Sequence, residues 1–297
     1  MLKRHGGQKR GRESDEQRIL MGKHKKTLRM LEVAVDVLST TNPMTVRQVY
    51  YQLVSRQVIE NNKTAYNSVC NLLRDARKSE EIPWDWIEDR LRKPRYVAMW
   101  ENMNDFTKSV APQFRRNVWN TQPNYLEVWL EKDALSGIFE ETLEPYGVTL
   151  NVGRGYDGWS SIRAAAERYG YEKEVTVLYF GDFDPSGEDM LRSLRERLLF
   201  FGSEPEIIKC ALTFEDVERF HLPPDFTKPG DTRSAAFIEK YGDMAVELDA
   251  LSVEVLRERL EEEVRSRMDL EALQEVKQLE AIEREHLIER LRGDEAE

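Results

Sequence analysis

Along the first ninety residues, apolar positions recur at intervals of three and four. Leu28, Leu31, Val35 and Leu38 predict a helix over residues 27–39, and Thr40-Thr41-Asn42-Pro43 stops it. Thr45 then caps a second helix whose core stripe is Val46, Val49, Tyr50, Leu53 and Val54. Asn61-Asn62-Lys63 is a turn. A third helix follows over residues 64–81, with Tyr66, Val69, Cys70, Leu73 and Ala76 facing inward. Residues Ile82 to Trp86 read as a short extended segment. Ahead of all this, residues 1–26 are rich in Gly, Lys and Arg and poor in apolar side chains, and read as a basic flexible arm.

After Thr121-Gln122-Pro123 the pattern changes to short apolar runs alternating with helical stretches. Strands are predicted at Tyr125–Leu130, Val148–Val152, Val175–Phe180 and Ile207–Leu212, with helices at Asp133–Glu141, Ser160–Tyr169 and Ser186–Leu199. That order predicts a parallel, Rossmann-like α/β sheet over residues 122–251. Residues 99–121 read as an aromatic-rich connecting helix. Residues 252–297 read as C-terminal helices, with Leu256, Leu260, Val264 and Met268 four apart. The apolar repeat is not sustained beyond Val276, Leu287 and Leu291, which favours packing on the sheet over a dimerising coil. The fold class is therefore α/β with an α-rich N-terminal part. Within that part, residues 27–98 have the winged-helix order of three helices and a strand. In that fold the last helix enters the DNA major groove.

Composition narrows the class. Of 297 residues, 40% are hydrophobic and 33% charged, and no apolar run approaches the ~18 residues of a membrane span. Cys70 and Cys210 lie far apart and read as packing residues of a reducing, cytoplasmic setting. The net charge of −11 argues at first against a polyanion partner. It is unevenly spread, however. Residues 1–120 hold 23 Lys and Arg against 14 Asp and Glu, a net of +9, so the remainder carries −20. A basic front suits a polyanion, and an acidic back suits a metal. Arg74, Arg77 and Lys78, on or beside the exposed side of the third helix, are the candidate DNA contacts; each is equally readable as a solvated charge.

The candidate chemistry stands where strands end. Glu131 follows the strand ending at Leu130, and Asp182 and Asp184 follow the strand ending at Phe180, within Gly-Asp-Phe-Asp-Pro-Ser-Gly. In an open parallel sheet, ligands sit at the carboxyl ends of strands. If the two strands are neighbours, three carboxylates converge, and a hard cation such as Mg²⁺ relieves their repulsion. The competing reading is that Asp184 only caps the next helix, with Pro185 in its first turn. An Asp-Phe-Asp after a strand also opens haloacid-dehalogenase-type phosphatases. There a small residue follows, where this chain has Pro185-Ser186, and the strand comes first in the domain rather than late.

Taken together, Glu131-Lys132-Asp133-Ala134, Gly153-Arg154-Gly155-Tyr156 and Gly181-Asp182-Phe183-Asp184-Pro185-Ser186-Gly187 resemble the Toprim domain. The form they look like is that of the topoisomerase VI A subunit and its meiotic double-strand-break relatives. Leu212-Thr213-Phe214-Glu215-Asp216-Val217-Glu218, Leu222-Pro223 and Val246-Glu247-Leu248-Asp249-Ala250-Leu251 are similar to that family too, and Arg47-Gln48-Val49-Tyr50-Tyr51 resembles its catalytic stretch. The likeness runs in order over roughly residues 27–260. It implies Tyr51 as the nucleophile, Arg47 as its charge-stabilising partner, Glu131 as metal ligand or general acid, and Asp182 and Asp184 as further Mg²⁺ ligands. It also implies double-stranded DNA as substrate, a homodimer with composite sites, and a separate ATPase B-type subunit as a possible partner, since no P-loop is present. On a helix, Arg47 and Tyr51 share a face, and Tyr51 lies about 100° from Tyr50, off the core stripe. Tyr50 is thus expected in the core and Tyr51 at the surface. Two other functions fit the same plan: a Toprim nuclease that cuts by hydrolysis, and a winged-helix DNA-binding protein without catalysis.

Overall fold

The computed structural model describes residues 9–88, 97–153, 158–170, 172–224 and 234–293, with backbone alone for 9–24 and 292–293. The chain forms two compact units, Met1–Leu91 and Arg92–Glu297. The division falls a few residues ahead of the boundary expected at 98.

Among its described residues the first unit holds three α-helices. α1 spans Lys9–Thr40, α2 Val46–Ser55 and α3 Lys63–Lys78. The expected flexible arm is, from Lys9 onward, the first half of α1. Residues 9–26 are mostly polar, with Ile19, Leu20 and Met21 the apolar exceptions, and their Arg, Glu, Gln and Lys are good helix formers that extend the helix toward its N-terminus. α2 starts with a capping box: Gln48 N–H donates to Thr45 Oγ1 at 3.3 Å, and Thr45 N–H donates to Gln48 Oε1 at 2.7 Å. α3 is capped by Asn62, whose side chain accepts from Ala65 N–H at 2.9 Å. Each helix packs on the other two, around Ala34, Leu38, Val49, Leu53, Val69 and Leu73. The extended segment expected at Ile82–Trp86 is instead a 3₁₀ turn at Trp84–Trp86, followed by a single parallel bridge between Ile87 and Met44.

In the second unit, the expected connecting helix over 99–121 is only α4, Met103–Val110, followed by 3₁₀ turns at Ala111–Gln113 and Val118–Asn120. Pro112 has no N–H to continue the α-helical ladder, so α4 stops and the chain tightens into the 3₁₀ turn, with Ala111 still helical. The sheet follows as expected. β1 is Asn124–Leu130, β2 Thr149–Val152, β3 Glu174–Phe180 and β4 Glu206–Ala211, all parallel in the order β2-β1-β3-β4. Between them run α5 (Ser136–Leu143), α6 (Trp159–Tyr169) and α7 (Pro185–Phe200). After β4 come α8 (Phe214–Arg219), α9 (Ser234–Tyr241), α10 (Val253–Arg265) and α11 (Leu270–Gly293).

Both faces of the sheet are covered. Trp129, Val177 and Tyr179 pack under Ile162, Ala165, Leu191, Leu194 and Leu198 of α6 and α7. On the opposite face, Phe180 meets Phe139 of α5 edge to face at 4.9 Å, and α10 packs on α5. Glu127, fully buried in β1, takes two hydrogen bonds from Arg168, at 2.8 and 3.0 Å, and one each from Asn151 and Tyr125. It is a satisfied core carboxylate. Among the described residues no helix is long and apolar enough to cross a membrane.

Candidate active site

The pairing of β1 with β3 decides the geometry. Leu130 stands beside Phe180, so the residues that follow them, Glu131 and Gly181, leave the sheet side by side. Glu131 N–H continues the ladder to Phe180 O at 2.9 Å, and Asp182 N–H donates to Glu131 Oε2 at 2.9 Å. Two glycines permit this approach. A Cβ on Gly181 would lie 2.7 Å from Glu131 Oε2, and one on Gly187 would lie 2.4 Å from the carbonyl oxygen of Asp182. The glycines of the Gly-Asp-Phe-Asp-Pro-Ser-Gly stretch are thus steric requirements of the loop.

Asp182 is 6% exposed and held on both oxygens. Leu248 N–H donates to Oδ1 at 2.8 Å, and the Lys132 ammonium donates to Oδ2 at 2.8 Å. The segment around Leu248 is fixed by a bridge between Phe183 and Val246, with N–H···O bonds of 2.9 Å in both directions. Lys132 also reaches Glu247 Oε2 at 3.4 Å, and the buried carboxylate of Asp249 acts on the same ammonium. From below, Lys209 donates to the Asp182 carbonyl at 3.2 Å and to Glu188 at 2.5 Å. A pocket opens beside Glu131, lined by Trp129, Ile162, Tyr179, Met190 and Arg197.

Electrostatics follow from burial. Burial, and then the Asp182 charge, push the Glu131 carboxyl up to about 7. Asp182 is raised as well, by burial, with Lys132 opposing the rise. Burial pulls the Lys132 ammonium down, but the charges of Asp182, Glu247 and Asp249 outweigh it and hold the proton on more tightly than usual. Burial drives the Cys210 thiol up to about 12, in keeping with a packing role.

The third expected acid is used differently. Asp184 caps α7, its Oδ1 accepting from Gly187 N–H at 2.6 Å, with Pro185 in the first turn. It still raises the Glu131 carboxyl through its charge. Two of the three carboxylates therefore meet, and the third stands by as a helix cap. Among the described residues no three His, Cys, Asp or Glu side chains form a metal-holding group. Arg154, Tyr156 and Asp157 of the glycine loop lie outside the described residues.

No protein-family model matches this chain, and no curated protein matches it in sequence.

In the first unit, Arg47 and Tyr51 do share a face of α2, with the guanidinium 5.9 Å from the ring centre. The expectation that Tyr51 is exposed fails: it is 8% exposed, against 4% for Tyr50. α2 is the middle helix, covered by both α1 and α3, so burial extends from Gln48 to Val54 beyond one stripe. Tyr50 is the core anchor expected, its hydroxyl donating to Asn61 Oδ1 at 2.8 Å. Of the candidate DNA contacts, Arg74 is exposed but bonded to Asp75 at 2.8 Å, Arg77 stacks over the Trp84 ring at 5.0 Å, and Lys78 is exposed.

Lys132, Glu247 and Asp249 join the site without any expectation from the sequence. Lys132 adjoins Glu131 and both acids lie in Val246–Leu251, but the sequence alone brings none of the three to Asp182. A search for convergent carboxylates does not look for the cation already among them.

Proposed function

We propose that this protein is a Mg²⁺-dependent enzyme that breaks DNA phosphodiester bonds, with winged-helix and Toprim domains, and that it acts by tyrosine transesterification. The observation that carries the proposal is the meeting of Glu131 and Asp182 at the carboxyl ends of two adjacent parallel strands. The donor set suits Mg²⁺, which takes hard oxygens and needs only one or two protein carboxylates besides water and phosphate. Glu131 Oε1 and Asp184 Oδ2 accept no hydrogen bond from the described residues, and the charges of Asp182 and Asp184 add to burial in raising the Glu131 carboxyl. Glu131, Asp182 and Asp184 would hold the ion, which when bound would neutralise charge on the phosphate.

In this reading the Tyr51 oxygen attacks phosphorus. A bond forms between them, the bond from phosphorus to the 3′-oxygen breaks, and the tyrosyl proton leaves to solvent. With Glu131 on the ion, the departing 3′-oxygen takes its proton from water; in the alternative in which Glu131 does not ligate the ion, its raised carboxyl supplies that proton as a general acid. Arg47, beside the ring, stabilises the phenolate as it forms. Arg74, Arg77 and Lys78 hold the duplex through its phosphates. The resemblance adds a homodimer in which one subunit's tyrosine serves the other subunit's acids, and a separate ATPase subunit as a possible partner.

One observation favours a second reading. Tyr51 is 8% exposed, whereas a nucleophile must reach phosphorus, so hydrolysis by water at the same acids is the alternative. Supercoiled plasmid, protein and Mg²⁺, stopped with detergent and resolved with and without protease, separates the two. Ends that carry protein until digestion, and that vanish in Tyr51→Phe, support transesterification. Protein-free ends that survive Tyr51→Phe and vanish in Asp182→Asn establish hydrolysis. DNA bound and never cut leaves a binding module.

A further inference from the structure

We propose that Lys132 is the resident counter-cation of the acidic edge: it occupies Asp182 in the metal-free protein and must yield that oxygen before Mg²⁺ can bind there. The inference rests on the metal reading above and adds to it an order of events and a role for a residue with no assigned one.

The argument starts from which oxygens are engaged. Asp182 Oδ1 is tied to Leu248 N–H at 2.8 Å, within a segment pinned by the Phe183–Val246 bridge. That contact belongs to the fold and does not give way without local unfolding. Oδ2 is tied to the Lys132 ammonium, also at 2.8 Å. A divalent ion on Oδ2 and an ammonium on the same oxygen repel one another at close range in a poorly solvated place. One of them must leave, and the lysine is the one on a flexible four-carbon stem.

Lys132 also has somewhere to go. Glu247 Oε2 already lies 3.4 Å from its Nζ, and Glu247 is more exposed than Asp182. The Asp249 carboxylate attracts it as well. A swing toward these acids, or toward a substrate phosphate, keeps the ammonium paired throughout. Lys132 is 19% exposed at its side chain, so the path to solvent is short. The arrangement also explains how several carboxylates coexist in a metal-free edge: one built-in cation offsets them. Lys132 acts through Asp182 and is therefore a positioning residue.

The consequence is a competition that can be measured without any cleavage. Titrating the full chain with Mg²⁺ alone by calorimetry, Lys132→Gln is expected to bind on the order of tenfold more tightly than the parent, since the internal competitor is gone and its carboxylates remain. Lys132→Arg, which keeps the charge, is expected to stay within about twofold of the parent. Lys132→Gln without metal is expected to melt at a lower temperature than the parent and to gain more from added Mg²⁺. Should Lys132→Gln fail to fold, the parent protein supplies a second readout. Reductive methylation followed by mass spectrometry is expected to label Lys132 several-fold faster with Mg²⁺ than without. Unchanged or weaker Mg²⁺ affinity in Lys132→Gln, or methylation of Lys132 that Mg²⁺ leaves unchanged or slows, overturns the proposal. If Lys132→Gln binds Mg²⁺ no more tightly than the parent while Asp182→Asn loses binding, the metal reading stands and the Lys132 proposal alone fails. If neither the parent nor Lys132→Gln binds Mg²⁺, both fail together.

Discussion

On α2, burial is set by company. Gln48, Val49, Tyr50, Tyr51, Leu53 and Val54 are all buried, because helices lie on two sides of it. At the ends of β1 and β3, position is set by hydrogen bonds. The ladder that pairs Leu130 with Phe180 leaves Glu131 and Asp182 little choice but to meet. A side chain at a strand end inherits its place from topology. A side chain on a helix inherits its exposure from whatever packs alongside, which its own periodicity does not report. The same difference appears in the charges. The acids of the edge are raised and interdependent, whereas Arg47 rests against an aromatic ring.

The sharpest test of this contrast is functional. Asp182→Asn keeps the acceptor for Leu248 N–H and removes the charge, and it is expected to cut Mg²⁺-dependent DNA cleavage by on the order of 10³-fold in a plasmid assay. A variant that cleaves normally would break the claim that the edge carries the chemistry.

Next comes the electrostatic strain at Glu131, whose ordinary value is 4.5. Folded, the group holds its proton to about 7, so its contribution to stability is full below 4.5 and is lost as pH rises through about 7. Glu131→Gln removes that loss. Without divalent ions at pH 8 it is expected to exceed the parent by up to about 3 kcal/mol in urea unfolding, and to match it near pH 4. A parallel pH profile for the two proteins would contradict the raised carboxyl.

Gly187→Ala is smaller again. Its Cβ would press on the Asp182 carbonyl oxygen, a backbone atom, and unfolding is expected to ease by about 1–3 kcal/mol. On the other side of the comparison, Thr45→Ala removes one half of the α2 capping box and is expected to cost about 1 kcal/mol by the same measurement. A larger loss at Thr45 than at Gly187 would invert the picture of a tense edge and a merely capped helix.

The strands and their order of use were legible because each carries an apolar run that only a sheet covered on both faces needs. Glu131 and Asp182 were legible for the same reason, as the first polar residues after such runs. Their adjacency was not legible, since strand order is a tertiary fact. Tyr51 was misplaced because a stripe argument presumes one buried side. The extended segment at Ile82–Trp86 failed because Trp84 and Trp86 suit a strand by type, but Pro83 leads into a 3₁₀ turn. Lys132 went unread because a lysine next to a glutamate in sequence says nothing of a carboxylate fifty residues on.

The clamp on Asp182 has a temporal side. Leu248 is 66 residues further along the chain than the carboxylate it holds. At roughly 5–20 residues per second of synthesis, both acids exist for about 3–13 s before the residue that fixes them is made. A nascent chain interrupted in that interval carries Glu131 and Asp182 and no completed edge. The clamp on Asp182 therefore forms only once residue 248 has been made, and shorter products lack it.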